Sequence, residues 1–279
     1  MDIKQNYITC NHSHRMAYTE WGDTNNPNVL ICVHGLTRNS RDFDFLAKQL
    51  CHQYRVICPD IIGRGKSDWL PQAKEYNYET YVTDMLNLMN QLNLKNVDWL
   101  GTSMGGIIGM SIAATQPQLI RRLILNDIGA FVSKQALQRI STYLKIIPPF
   151  FKNLKAVEMH LRDIYMTFGY LPDEQWQQLA IHGSYKKEGR YYLGYDPKIF
   201  EIFQQHINQD IDLWQIWQAI NIPMMVIHGE DSDVLTQETL NKMKAIHPSI
   251  FIVHYPNVGH APMLMTKAQT DKIINWLLK

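Results

Sequence analysis

Six short apolar runs, each stopped abruptly by glycine, proline or a turn-forming polar residue, constrain this chain more than any other feature. Val29-Leu30-Ile31-Cys32-Val33 ends at His34-Gly35, and Arg55-Val56-Ile57-Cys58 ends at Pro59-Asp60. Val97-Asp98-Trp99-Leu100 stops at Gly101, and Leu123-Ile124-Leu125 stops at Asn126-Asp127. Met224-Met225-Val226-Ile227 stops at His228-Gly229, and Ile250-Phe251-Ile252-Val253 runs on towards Pro256. Near-continuous apolar strands are what a parallel sheet requires, because both of its faces are covered. Helical patterns fall between the runs. Tyr81, Met85, Leu88, Met89 and Leu92 share one face, Ile107–Thr115 closes at Pro117, and Ile273, Ile274, Leu277 and Leu278 make a last helix. The alternation predicts an α/β fold with a mainly parallel sheet.

One stretch breaks the rhythm. From about Phe131 to Trp214 no clear strand is visible and aromatics accumulate, among them Tyr143, Phe150, Phe151, Tyr165, Phe168 and Trp176. It reads as a helical insertion between two sheet strands. The expected organisation is a core in two parts, 1–130 and 214–279, interrupted by a helical cap at 131–213.

Bulk properties exclude several function classes. The 279 residues carry 27 basic and 26 acidic side chains, a formal net charge of +1, with no long basic block. Nucleic acid and anionic membranes are therefore poor partners, and a small-molecule substrate is expected. No run approaches the ~18 apolar residues of a spanning helix. Met1-Asp2-Ile3-Lys4-Gln5-Asn6 lacks the basic start and apolar stretch of a secretory leader. The four cysteines, Cys10, Cys32, Cys51 and Cys58, form no CxxC pair or clustered Cys/His ligand set, so no metal is expected and a reducing cytoplasm is the default compartment. Nothing in the sequence indicates an oligomeric state.

The chemistry is carried by Gly101-Thr102-Ser103-Met104-Gly105-Gly106, a G-x-S-x-G motif set directly after a strand and before a helix. A serine on so tight a turn leaves no room for side chains two residues either side, a demand that Gly101 and Gly105 meet. The turn also aims the first helix amides at any developing oxyanion. Ser103 is the candidate nucleophile and needs a base. Of eleven histidines, His260 stands in a loop, Asn257-Val258-Gly259-His260-Ala261-Pro262, after the last strand and before the final helix. His34 and His228 each end a strand before glycine and read as structural. The third member should be a carboxylate on a strand-end loop between serine and histidine in chain order. Gly229-Glu230-Asp231-Ser232-Asp233 offers Asp233 as the preferred acid and Asp231 as an alternative. Asp127 is a further alternative, for which a turn or helix cap is the preferred reading.

Together these motifs resemble the α/β-hydrolase family over nearly the whole chain. His34-Gly35-Leu36 looks like the family's H-G-x loop, and Asp60-Ile61-Ile62-Gly63-Arg64-Gly65-Lys66-Ser67 looks like its D-x-x-G-x-G-x-S turn. The resemblance implies an eight-stranded core with a helical cap and an oxyanion hole made by the Leu36 and Met104 backbone amides. It implies neither cofactor nor metal. The family's acid turn reads G-x-x-D, whereas Ser232 holds that spot here, and an extra residue in the turn would restore Asp233. The Thr37-Arg38-Asn39 segment also departs from several branches of the family. Arg38 is a possible contact for a carboxylate-bearing substrate, although an ion-paired side chain is the blander reading. The expected activity is hydrolysis of a small apolar carboxylic ester through an acyl-enzyme on Ser103. A carbon–carbon bond hydrolase or lactonase of the same fold is the alternative, and a non-catalytic small-molecule binding protein is the rival from another class.

Overall fold

Every one of the six apolar runs becomes a sheet strand in the computed structural model, which describes residues 3–11 and 13–279. Met1 and Asp2, which open the N-terminal segment read above, and His12 lie outside the described residues. The first part of the chain lays down β1 (Lys4–Cys10), β2 (His14–Trp21), β3 (Val29–Val33), β4 (Arg55–Pro59), β5 (Val97–Thr102) and β6 (Ile120–Asn126). Helices α1 (Asp44–Leu50), α2 (Tyr78–Gln91) and α3 (Met104–Thr115) lie between these strands. An inserted segment follows, with β7 (Phe131–Val132), α4 (Lys134–Lys145), α5 (Leu154–Ile164), α6 (Asp173–His182), β8 (Ser184–Lys187) and β9 (Arg190–Leu193). It continues through α7 (Lys198–Gln204) and β10 (Ile211–Asp212), after which α8 (Trp214–Ala219) leads back to the sheet. The sheet is completed by β11 (Met224–Gly229) and β12 (Phe251–Tyr255), with α9 (Gln237–Ile246) and α10 (Lys267–Leu277).

The eight-stranded sheet has the order β1-β2-β4-β3-β5-β6-β11-β12. Only β2 runs antiparallel to its neighbours β1 and β4; all other pairs are parallel. Every residue of β3 and β11 is buried. The strand period of two divides them between two cores. Ile31 and Val33 pack with α2 and α3 residues such as Met85 and Ile108 on one face. Leu30 and Cys32 pack with Leu46 of α1 and Ile273 of α10 on the other. A third cluster, built by α5 and α6, also takes in Met263 and Met265 from the loop that follows β12.

Two features went unread in the sequence. The N-terminal hairpin β1–β2 alternates polar and apolar residues and carries no continuous apolar run. The inserted segment holds a β8–β9 hairpin whose turn residues Glu188 and Gly189 both sit at positive φ, 49° and 79°. Its strands are half-buried or exposed, so they lack the apolar signature that marked the sheet. Val132 of β7 pairs with Ile211 of β10, closing the ends of the insertion on each other.

The register of β5 on β6 is held at its far end by charge. Asp98 is fully buried and accepts from Arg121 (2.6 Å), Arg122 (2.7 Å) and the Tyr54 hydroxyl (2.9 Å). Burial would raise its carboxyl, but the hydrogen bonds from Arg122 and Arg121 outweigh that and hold it below the usual carboxylate range. Arg122 also donates to the Leu277 carbonyl of α10 at 2.8 Å. Removing one partner of such a buried pair strands the other charge. Asp98→Ala is expected to lower stability by ~3 kcal/mol, read as a reduced urea midpoint with an unchanged m-value.

Candidate active site

The turn between β5 and α3 sets Ser103 at φ 51° and ψ −114°, a strained conformation for a residue with a Cβ. The surrounding backbone enforces it. The Ser103 amide donates to the Asn126 carbonyl (3.1 Å), and its carbonyl accepts from Gly106 (2.8 Å) and Ile107 (3.1 Å). A Cβ on Gly105 would lie 2.1 Å from the Val33 carbonyl oxygen, and one on Gly101 would lie 2.2 Å from that of Gly105. Both positions exclude any side chain.

The structure brings Ser103 and His260 together. His260 Nε2 lies 2.9 Å from Ser103 Oγ, and its Nδ1 lies 2.8 Å from a carboxylate oxygen of Asp127. With the carboxylate at Nδ1, that nitrogen carries the proton and Nε2 presents its lone pair to the serine hydroxyl. Asp127 is fully buried, at φ 55°. It also accepts from the Gly229 amide (2.9 Å) and the Ser232 hydroxyl (2.6 Å), so each carboxylate oxygen has a donor.

The preferred sequence assignment of the acid is therefore not what the structure places at His260. Asp233 is exposed and ion-paired with Arg139 (2.7 Å from Nη2). Asp231 is exposed as well, and its backbone amide donates to the Val258 carbonyl at 3.0 Å. The turn after β11 points Ser232 inward, and its hydroxyl reaches the carboxylate that ends β6. Asp127 had only a weak signal in the sequence, because its link to the site depends on β6 lying beside β5.

The loop after β3 lies against the serine. Leu36 and Met104 line the same cavity as Ser103 and His260. The Gly35 carbonyl, which belongs to the same peptide as the Leu36 amide, accepts from His34 Nδ1 (2.7 Å) and the Arg38 amide (3.2 Å). His34 Nε2 accepts from the Ile61 amide at 2.9 Å. Burial drives the His34 pKa down to about 3, so the ring is neutral and its Nδ1 stays a donor to that carbonyl. Arg38 also lines the cavity, but its guanidinium is buried against Asp42 (2.6 and 2.9 Å) and lies over the Tyr165 ring. Its charge is satisfied within the protein rather than offered to a substrate carboxylate.

The cavity at Ser103 has a volume of about 620 Å³. Its walls are mainly apolar and come from both the sheet end and the insertion, including Ile107, Val132, Ile140, Ile202, Phe203 and Ile216. Tyr165 and Phe168, stacked on each other, form part of its lining, and the Tyr165 hydroxyl lies 3.0 Å from that of Thr37. One group among the described residues is close enough to hold a metal ion: Cys10, His14 and Asp84. None of these lines the cavity. His14 already pairs with Asp84 at 2.9 Å, while burial and the adjacent Asp84 raise the Cys10 thiol far above its usual range.

The family model described as alpha/beta hydrolase fold matches residues 28–265. The chain belongs to the α/β-hydrolase family. It is 42% identical to a 3-hydroxybutyrate-oligomer hydrolase of Cupriavidus necator, over 92% of this chain and 90% of that one. It is 27% identical to Lipase 1 of Psychrobacter immobilis, over 96% of this chain and 82% of the lipase. Among solved structures, an α/β hydrolase from Novosphingobium aromaticivorans superposes with a TM-score of 0.89 at 32% identity, covering 99% of this chain and 98% of that one. As an α/β-hydrolase the chain has an ordered mostly parallel sheet with helices on both faces. Among the described residues, no helix is long and apolar enough to cross a membrane.

The hydrogen-bond chain at His260 is open to direct observation. Proton NMR is expected to show a strongly downfield resonance from its carboxylate-bonded Nδ1 proton. That signal should vanish in Asp127→Ala and persist in Asp233→Ala; the reverse pattern would overturn the geometry.

Proposed function

We propose that this α/β-hydrolase is a serine esterase that hydrolyses short, apolar carboxylic esters, with Ser103, His260 and Asp127 as its catalytic triad. The observation that carries the reading is the continuous chain from Ser103 Oγ through both ring nitrogens of His260 to buried Asp127, opening on an apolar cavity. Ser103 attacks the ester carbonyl while His260 Nε2 takes its proton. The Leu36 and Met104 amides receive the oxyanion of the tetrahedral intermediate, as preset donors worth ~3–4 kcal/mol each in the transition state. His260 then protonates the leaving alkoxide, and the acyl group remains on Ser103. Water, activated by the same imidazole, attacks the acyl-enzyme and releases the acid. Asp127 holds the tautomer and stabilises the imidazolium. Its role replaces the one that the sequence assigned to Asp233.

For the substrate, the relative that acts on 3-hydroxybutyrate oligomers supports esters of short hydroxy acids. Such a chain is a repeating aliphatic ester with small methyl branches and few polar groups. The cavity of about 620 Å³ lies within the ~300–1,000 Å³ usual for small-molecule sites. The four buried free thiols suit a reducing cytoplasm.

A fluorophosphonate probe is expected to label the wild type and not Ser103→Ala, and the wild type is expected to cleave p-nitrophenyl butyrate and 3-hydroxybutyrate dimers and trimers. Labelling without any ester turnover would refute esterase activity in favour of carbon–carbon cleavage or lactone opening. Absence of labelling would favour a ligand-binding protein. Within the triad, Asp127→Asn should lower kcat by a factor on the order of 10³–10⁴ through loss of the productive tautomer. Adding Ser232→Asp to that variant should recover part of the loss. The residue-232 side chain already reaches to within 2.6 Å of the oxygen that His260 uses.

A further inference from the structure

Arg64 is wholly inaccessible to solvent, and among the described residues it forms no ion pair with any carboxylate. Burying an unpaired guanidinium is costly, so its surroundings are informative. Its Nε donates to the Leu36 carbonyl at 2.9 Å. Nη1 donates to the Ile62 carbonyl (2.8 Å) and the Tyr81 hydroxyl (2.9 Å). Nη2 contacts the Met104 sulfur at 3.5 Å. The Tyr81 ring faces the cation at 4.9 Å and the Tyr76 ring at 5.9 Å.

Two of these contacts fall on Leu36 and Met104, the residues whose amides receive the oxyanion in the reading above. They come from separate segments: Leu36 from the loop after β3, and Met104 from the first turn of α3. One rigid, planar fork spans both. Neutral donors would satisfy the Leu36 and Ile62 carbonyls at far lower desolvation cost, so hydrogen bonding alone does not account for a cation. Negative charge developing on a substrate oxygen between those amides does account for it, because a fixed positive charge in a dry setting favours that state over the neutral ester.

We propose that Arg64 is a positioning residue for ester hydrolysis. It clamps the two halves of the oxyanion hole at a fixed separation and biases the site towards the tetrahedral intermediate. This inference rests on the serine-esterase reading. Besides the Nη1 bond to Ile62, the Arg64 turn has restraints that do not involve its side chain. Asp60 accepts from the Ser40 amide (2.7 Å) and the Lys66 amide (2.9 Å), Ser67 Oγ donates to the Asp60 carbonyl, and Gly65 donates to the Gly194 carbonyl (2.8 Å). Substitution of the side chain therefore leaves the turn its own restraints.

Arg64→Met, which keeps the bulk and removes the charge, and Arg64→Lys, which keeps the charge and removes the fork, provide the test. Each is assayed on p-nitrophenyl butyrate per folded molecule, with thermal melts alongside, and titrated with a trifluoromethyl ketone that forms a hemiketal oxyanion on serine. The expected result is a loss of kcat on the order of 10- to 100-fold in Arg64→Met with KM within about twofold, a parallel loss of ketone affinity, and a smaller loss in Arg64→Lys. A purely structural role would lower the melting temperature and leave kcat per folded molecule and ketone affinity unchanged, which overturns the proposal. If Arg64→Met does not fold, Arg64→Lys decides alone: wild-type kcat and ketone affinity in that variant overturn the clamp. Fluorophosphonate labelling of the wild type separates the two readings, since its absence removes the esterase itself, while labelling with unaffected Arg64 variants removes only the clamp.

Discussion

The site depends on the parallel pairing of β5 with β6. Thr102 and Asn126 face each other in register, so Ser103 and Asp127 are the next residues off the ends of adjacent strands. Parallel neighbours lie ~4.8 Å apart, which sets the separation of serine and carboxylate before any side chain is chosen. Both residues turn out of the ladder at positive φ, 51° and 55°. The Ser103 amide still bonds to Asn126 across the strands. At the far end of the same pair, Asp98 and Arg122 lock the register with buried charge. His260 arrives from elsewhere in the chain and is tied to this pair by Asn126. Its side-chain amide donates to both the Thr102 hydroxyl (3.0 Å) and the Pro262 carbonyl (2.8 Å).

Burial then decides which carboxylate stands at His260. A charge in this position must be solvated by the protein itself, and Asp127 receives three donors: an amide, a hydroxyl and the imidazole. Ser232 explains two observations together. By facing inward it supplies one of those donors, and it leaves Asp233 on the outer side of the turn, where Arg139 and water satisfy it. The inserted segment bears on the same loop. Thr167 accepts from the Gly259 amide beside His260, and Met263 and Met265 join the insertion's own apolar cluster. Tyr165, Phe168 and Met263 belong both to that cluster and to the cavity wall, so the histidine loop and the cavity share part of their packing.

Legibility in the sequence followed burial. The parallel strands were readable because a strand covered on both faces must be apolar throughout, as β3 and β11 are. The hairpins β1–β2 and β8–β9 were not: β8 and β9 are half-buried or exposed, and β2, though largely buried, carries Thr19 and Glu20 among its apolar residues. Ser103 was readable because a serine between two glycines that admit no Cβ is a local demand. His260 was readable from its place in chain order. The carboxylate beside His260 was not the one expected, for a physical reason: Asp233 obeys chain order and turn context as well as Asp127 does, and nothing local distinguishes them.

What the sequence by itself determined is the set of local demands: continuous apolar strands for a parallel sheet, a strand-to-helix turn that admits only glycine beside serine, and a histidine loop before the last helix. These depend on backbone sterics and on hydrophobic burial within a few residues, so they are written where they act. The tertiary structure alone decided the pairing of β6 with β5, the inward face of Ser232 and the convergence of Arg64 on Leu36 and Met104. Each of these joins residues distant in the chain, and an interaction across such distances is specified by which strands become neighbours, not by either segment read alone.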